Sequence, residues 1–116
     1  MTDLKIYHNP RCSKSRQTLA LIEEKGLTPT IIRYLESPPD AAEISDLLMK
    51  LGISARALLR KGEQDYKDQN LKNTQLSEAE LIDAMATYPK LIERPIVVKN
   101  NKAILGRPPE NVLDLI

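Results

Sequence analysis

An α/β fold is predicted for this chain by three patterns that follow one another along its 116 residues. The first is an apolar run, a helical repeat and a second apolar run, which is the order of a parallel β-α-β unit. The second is a series of helix start and stop signals in the middle of the chain. The third is a pair of apolar runs joined by Asn-Asn, typical of an antiparallel hairpin, followed by a last helical repeat. We therefore expect one α/β domain, residues 1–116, in which β-α-β, an inserted helical block and β-β-α form a mixed four-stranded sheet with helices.

The β-α-β unit begins with "LKIYH", Leu4–His8, which is short, alternating and apolar enough to be a strand. The stretch "NPRCS" follows as a loop. Apolar residues at helical spacing then predict a helix over 13–25, and Gly26 is a typical C-terminal stop. The stretch "TPTIIRYLE" predicts the second strand, which runs from Ile31 through Tyr34.

The middle of the chain predicts helices separated by polar turns. Two of them begin with the spacing of a capping box, in which a polar residue and a Glu three positions later satisfy the first backbone N–H groups. The polar stretch 63–74 gives no clear pattern. The predicted helices run from Asp40 to Leu51, from Ser54 to Gly62, and from Ser77 to the residue before Pro89.

The last part of the chain predicts a hairpin and a helix. In "RPIVVKNNKAILG", two strands are joined at Asn100 and Asn101, because asparagine tolerates the positive φ of a tight turn. The final "RPPENVLDLI" has proline at a helix start and then Val112, Leu113 and Ile116 at helical spacing.

Composition and charge exclude several classes of function. The 17 basic and 16 acidic side chains give a net charge of +1, so nothing in the total demands a nucleic-acid partner. No window approaches the roughly 18 to 20 apolar residues of a membrane span, and the N-terminus lacks the apolar segment of a signal peptide. One cysteine and one histidine make neither an internal disulfide nor a zinc cluster. We expect a cytoplasmic protein with no metal site and no membrane partner.

The single cysteine lies in "HNPRCSKSR", between the first predicted strand and the first predicted helix. Backbone N–H groups without a helical partner and the positive end of the helix dipole favour a thiolate there. The same amides suit a tetrahedral oxyanion, so the sequence predicts Cys12 as a nucleophile beside an anion site. The alternative is a small buried residue under a solvated basic surface. Further stabilisation of the thiolate is expected from nearby cations and a hydroxyl: Arg11, Lys14, Arg16, and Ser13 or Ser15.

The motif around the cysteine is C-x-x-S, so no internal disulfide can close between Cys12 and Ser15. An oxidised or adducted Cys12 must therefore be resolved by an outside thiol, such as glutathione or a small disulfide reductant. His8 could orient the loop or tune the thiolate, and a lone histidine can equally be an ordinary polar residue.

A reactive cysteine at the first strand–helix junction, together with the predicted order of elements, suggests a thioredoxin-like fold. The stretch "YHNPRCSKSRQTL" resembles the active-site loop of the glutaredoxin-coupled arsenate reductases. The similarity continues through "YLESPP", "ISARALLRK", "ERPIVV" and "GRPPENVLDLI", and so covers nearly the whole chain.

This resemblance implies reduction of arsenate to arsenite, an activity of arsenic detoxification. Cys12 would attack arsenate and form a covalent thiol-arsenate adduct, with Ser15 as a donor to the thiolate and His8 beside it. Glutathione would be a co-substrate and glutaredoxin a protein partner, with no bound cofactor. The guanidinium group suits the anion because it stays ionised and pairs with two oxygens at once. By matching motifs the anion-binding arginines would be Arg60 in "RALLRK", Arg94 in "ERPIVV" and Arg107 in "GRPP".

The resemblance also implies a cis peptide bond at Arg94–Pro95, since thioredoxin-like folds commonly place a cis proline opposite the active-site thiol. Three other functions stay open from the sequence. The chain could be a related thiol-dependent oxidoreductase with another substrate, a non-enzymatic thioredoxin-like redox regulator, or a structural domain without activity. The regulator is disfavoured because such proteins typically carry C-x-x-C, which Ser15 removes here.

Overall fold

The computed structural model of the protein describes residues 4–116 and divides them into two compact units. The first unit comprises the described residues up to Ser37 together with Arg94–Ile116, and the second is Pro38–Glu93. Among the described helices, none is both long and apolar enough to cross a membrane. The expectation of a single domain over residues 1–116 stays a prediction.

The first unit is built on a sheet whose strands lie in the order β2-β1-β3-β4. The strand β1 is parallel to β2 and antiparallel to β3, and β3 is antiparallel to β4, so the predicted mixed four-stranded sheet is confirmed. The elements of this unit are β1 (Leu4–Tyr7), α1 (Ser13–Glu24), β2 (Thr30–Ile32), β3 (Ile96–Lys99), β4 (Lys102–Leu105) and a 3-10 helix (Pro109–Asp114).

The core of the first unit lies between the sheet, α1 and the 3-10 helix. It joins buried apolar side chains from β1, α1, β3 and the 3-10 helix: Leu4, Ile6, Ile22, Val97 and Val112. Burial of these side chains holds α1 and the C-terminal residues against the sheet.

The second unit is helical. Its helix α5 packs against both α2 and α3. Buried Ile44, Leu47, Leu81 and Met85 supply apolar side chains from α2 and α5. The elements are α2 (Ala41–Leu51), α3 (Ala55–Leu58), α4 (Gln64–Asp68), α5 (Glu78–Thr87) and a 3-10 helix (Pro89–Leu91).

Local start and stop signals are confirmed at most helix ends. The Ser77 and Glu80 capping box at the start of α5 has both of its hydrogen bonds, and the Asp40 side chain accepts from the backbone N–H of Glu43. Gly52 ends α2 in the left-handed region with φ +69°, where a side chain would be strained. Asn100 has φ +57° at the predicted hairpin turn.

The second strand was predicted too long. It ends at Ile32, and Tyr34 lies buried in the turn that follows. The chain turns there because the carbonyl of Arg33 accepts hydrogen bonds from the N–H groups of Glu36 and Ser37, at 3.0 and 2.9 Å.

Two further segments differ from the sequence expectation, and a third had no clear expectation. The helix predicted from Ser54 to Gly62 is only Ala55–Leu58, because Leu59 pairs with Ile92 in an isolated β-bridge that draws the backbone into an extended conformation. The last predicted helix is a 3-10 helix, and the stretch without a clear pattern contains α4.

The capping box of α5 gives a stability test in the second unit. We expect Ser77→Ala to lower the free energy of unfolding by about 1 kcal/mol, because the Glu80 N–H loses its side-chain acceptor. Urea denaturation measures the change. The matched control is Ser45→Ala, at an exposed interior position of α2. Equal unfolding midpoints for the two variants would contradict a role for the cap.

Candidate active site

The register of the strands places three chain segments at the same end of the sheet. Tyr7, the last residue of β1, pairs with Ile96, the first residue of β3, and Ile96 also pairs with Leu105, the last residue of β4. The loop after β1, the residues before β3 and the residues after β4 therefore emerge together. These segments carry Cys12, Arg94 and Arg107, respectively.

Cys12 is the residue that caps the N-terminus of α1. Its backbone N–H donates to the carbonyl of Asn9 at 3.0 Å, and its own carbonyl accepts from Arg16 N–H at 3.0 Å as the helix begins. The thiol is free and the residue is only 8% exposed. The predicted position of Cys12 at the helix start is thus confirmed, with less exposure than its polar neighbours in sequence suggest.

The pKa of the Cys12 thiol is lowered overall by opposing effects. Burial is the largest and raises the pKa, but hydrogen bonds from the backbone N–H groups of Ser15 and Lys14 and the charges of Arg94 and Arg107 outweigh it. The sequence argument relied on the side-chain charges of residues 11, 14 and 16. In the structure, the charges that lower this pKa come from two arginines distant in sequence, and Lys14 acts through its backbone.

Arg94 and Arg107 both act on the Cys12 thiol through their charges, and they also contact each other. The Nη1 atom of Arg107 donates to the backbone carbonyl of Arg94 at 3.4 Å. Each is followed by a cis proline, Pro95 and Pro108, so the predicted cis bond at Arg94–Pro95 is confirmed, and a second one was not anticipated.

The Ser15 hydroxyl lies against His8. Ser15 Oγ is 2.6 Å from His8 Nδ1 and accepts from Asn9 N–H at 3.1 Å, and both side chains are buried. Burial, then the charges of Arg33 and Arg16, lower the pKa of His8, so its ring is neutral near neutral pH. Whether the Ser15 proton is available to sulfur depends on which ring nitrogen of His8 carries hydrogen. A hydrogen bond from the Ser15 hydroxyl to the thiolate therefore stays a prediction.

Sequence reasoning missed a close contact beneath the site. The fully buried Thr18 hydroxyl donates to Lys14 carbonyl at 2.8 Å and makes a longer contact of 3.4 Å with the carbonyl of Gly106. The N–H of Gly106 in turn donates to the Pro95 carbonyl at 2.9 Å. This chain of contacts fixes the segments of Arg94 and Arg107 against the helix that Cys12 begins.

Arg60 belongs to the second unit. Its Nη1 lies 2.6 Å from Glu63 Oε1 and its Nε 3.7 Å from Glu93 Oε1, and its backbone N–H donates to the Leu91 carbonyl. Its role in anion binding stays a prediction.

Comparisons with known proteins agree with this arrangement. The model of the ArsC family matches residues 7–115. The chain is 58% identical over 114 residues to the uncharacterized protein YfgD of Escherichia coli K12, covering 97% of this chain and 96% of that protein. It is 48% identical over 113 residues to an arsenate reductase of Neisseria meningitidis serogroup A, covering 97% of each. The solved structure of an arsenate reductase from Vibrio cholerae matches with a TM-score of 0.97 and 52% identity, over 99% of this chain and 98% of that one.

The packing at Gly106 gives a second test. A Cβ added there would lie 2.5 Å from Thr18 Oγ1 and 2.8 Å from Pro95 Cγ, so we expect Gly106→Ala to cost about 1–3 kcal/mol of stability. Gly62→Ala is the control, since nothing lies within 4 Å of its added Cβ. Urea unfolding compares the two, and an unchanged midpoint for Gly106→Ala would refute the close packing.

The electrostatic account of Cys12 gives a third test. We expect the rate of alkylation to reach half its maximum below the pH of about 8.5 typical of a free cysteine, because the thiolate persists to lower pH. Arg107→Gln removes one stabilising charge, so the midpoint should move to higher pH. Iodoacetamide kinetics across pH measure it.

Lys102→Gln is the matched control for that variant, because it removes one positive charge at the opposite end of the sheet, where Lys102 pairs with Lys99. Equal midpoints for Arg107→Gln and Lys102→Gln would show that the arginine charge does not act on the thiol.

Proposed function

Because this chain belongs to the ArsC family, we propose that it reduces arsenate to arsenite, with Cys12 as the nucleophile. The observation that carries the proposal is the combination at the start of α1: a free thiol of lowered pKa, backbone amides, and the positive charges of Arg94 and Arg107. A nucleophile and a place for a tetrahedral anion coincide there.

Arsenate would bind with its oxygens toward the cations. Arg94 and Arg107 match paired oxygens with their planar forks, and they stay charged at any pH at which the protein works. The amides that favour the thiolate would also receive charge that develops on arsenate oxygens as the arsenic–sulfur bond forms. Arg60, which the resemblance alone adds, would be a third ligand of the anion.

The proposed reaction uses an outside reductant because the chain has one cysteine. The Cys12 thiolate attacks arsenic and a hydroxyl leaves as water. The thiolate of glutathione then adds to arsenic, and a second hydroxyl leaves as water. A glutaredoxin thiolate attacks the glutathione sulfur, so the arsenic–sulfur electron pair stays on arsenic and As(V) becomes As(III). Hydrolysis of the remaining arsenic–sulfur bond releases arsenite and restores Cys12.

His8 and Ser15 would act by holding the loop and setting protons. The Ser15 hydroxyl already accepts the Asn9 N–H, so it ties the loop to the first turn of α1. When His8 Nδ1 carries hydrogen and donates to Ser15 Oγ, the Ser15 proton is left for the Cys12 sulfur. A protein that draws on reduced glutathione and glutaredoxin would work in a reducing compartment, such as the cytoplasm.

Arsenite formation by the purified protein is the direct test. With arsenate, glutathione and glutaredoxin present, we expect Cys12→Ser to lower turnover by at least about a thousandfold, because the covalent step is lost. Ser45→Ala, at an exposed position of α2 with no role in the proposed reaction, is the control and should retain turnover. Omitting glutaredoxin or glutathione should each stop multiple turnover.

The outcomes separate the candidates. Turnover that is lost in Cys12→Ser and kept in Ser45→Ala supports arsenate reduction at this thiol. No arsenite from the native chain, with Cys12 still rapidly alkylated near neutral pH, would refute arsenate as substrate and favour a thiol-dependent oxidoreductase with another one. Slow alkylation together with no turnover would refute an activated thiol altogether.

A further inference from the structure

One cavity of the first unit adjoins the loop that precedes Cys12 and holds no reactant in the reaction proposed above. Its volume is about 230 Å³, and it lies between the loop that precedes Cys12 and the turn that follows β2. Its walls combine charged, polar and apolar side chains, which include His8, Pro10, Arg11, Arg33, Leu35 and Glu36.

The charges of this cavity are available to a ligand. Arg11, Arg33 and Glu36 are all exposed, and their charged groups make no ion pair or side-chain hydrogen bond with the part of the chain that the structure describes. Two residues that carry guanidinium groups and one that carries a carboxylate therefore line the cavity together with Pro10 and Leu35. A ligand of matching chemistry carries two negative groups and one positive group.

The cavity is also next to the nucleophile. Pro10 and Arg11 line it and immediately precede Cys12, so the chain between the Pro10 and Cys12 backbones spans at most about 7 Å. His8 lines the same cavity, and its Nδ1 contacts Ser15 Oγ in the first turn of the helix that Cys12 caps. A molecule held here can extend one arm toward the Cys12 sulfur.

Glutathione has the required groups: two carboxylates, one ammonium and a thiol between them. We propose that this cavity binds the glutathione that attacks the arsenic adduct on Cys12, with Arg33 and Glu36 holding its γ-glutamyl end and Arg11 its glycyl carboxylate. This assignment rests on the proposed function. Arg33 and Glu36 lie in one turn and both line the cavity, so this wall carries one cation and one anion for the carboxylate and ammonium of an amino acid.

The size of the cavity suits one end of glutathione, with the rest of the tripeptide outside it. Sites for whole drug-sized ligands are roughly 300–1,000 Å³, so a cavity of 230 Å³ accommodates the end of a tripeptide and leaves the rest outside. The thiol, in the middle residue, remains free to reach arsenic. The cavity binds glutathione without forming a covalent bond. The bonds made and broken in the reaction are therefore the same as in the proposed function.

Binding and catalysis can be tested separately. S-methylglutathione keeps both carboxylates and the ammonium but cannot react, so its affinity for the native chain, measured by calorimetry, does not depend on turnover. We expect Arg33→Gln and Arg11→Gln each to weaken it about tenfold, as for the loss of one charge-assisted hydrogen bond. Lys102→Gln removes the same charge at the far end of the sheet and should leave the affinity unchanged.

A second ligand tests whether Arg33 and Glu36 hold the γ-glutamyl end of glutathione. S-methylated cysteinylglycine lacks that group, so Arg33→Gln and Glu36→Gln should not weaken its binding further, whereas Arg11→Gln should. In turnover, Arg33→Gln should raise the KM for glutathione about tenfold and leave the KM for arsenate unchanged.

Each outcome decides the proposal. Weaker S-methylglutathione binding in Arg33→Gln and Arg11→Gln supports the cavity, and does so even if the chain reduces no arsenate, which would refute only the proposed function. Unchanged binding and an unchanged KM for glutathione, in a chain that does reduce arsenate, would overturn the cavity assignment. A raised KM for arsenate instead would also overturn it, because the two arginines would then belong to the oxyanion site.

Discussion

The pairing of Tyr7 with Ile96, and of Ile96 with Leu105, is the constraint on which the site depends. Strands that end at the same edge of a sheet deliver their flanking residues to the same place, so residues 12, 94 and 107 converge although they are far apart in sequence. A slip of one residue in β3 would turn its buried side chains to the other face and move Arg94 away from the thiol. The apolar core that selects this register, with Ile6 and Val97 paired across it, therefore also assembles the site.

The same convergence explains how a mostly buried thiol can be reactive. Burial alone raises the pKa of Cys12 and would make the residue inert. The two backbone N–H groups at the start of α1 and the charges of Arg94 and Arg107 reverse that direction. Partial burial is thus compatible with nucleophilicity when the compensating donors are fixed by the fold, as the Thr18, Gly106 and Pro95 contacts fix them here.

Local chemistry made much of the fold predictable. The Ser77 cap, the stop at Gly52 and the turn at Asn100 are each determined by a few adjacent residues, and the structure has them where the patterns place them. The patterns failed where a contact with a distant segment determines the backbone conformation. Leu59, for example, is extended and pairs with Ile92 where the sequence predicted a helix.

The candidate site, like the fold, could be predicted only in part. Cys12 could be identified from its neighbours and its place before a helix, but no local pattern indicates Arg94 or Arg107, which only the resemblance supplied. The contact between Thr18 and Gly106 joins residues 88 positions apart, so neither the sequence pattern nor the motif revealed it. The cavity at Arg33 depends on the turn after β2, in the segment that the sequence assigned to a strand.

His8 connects that cavity to the nucleophile. Its pKa is lowered by burial and then by the positive charges of Arg33 and Arg16, and its Nδ1 contacts the Ser15 hydroxyl. A carboxylate bound at Arg33 would offset one of those charges, so the pKa of His8 would rise toward its ordinary value when glutathione occupies the cavity. By reciprocity, a protonated His8 would favour the bound carboxylate. A protonated Nδ1 donates to Ser15 Oγ and leaves the Ser15 proton for the sulfur of Cys12. Filling the cavity would therefore bring the attacking thiol into place and, through the same histidine, stabilise Cys12 as a thiolate leaving group at the end of the reaction.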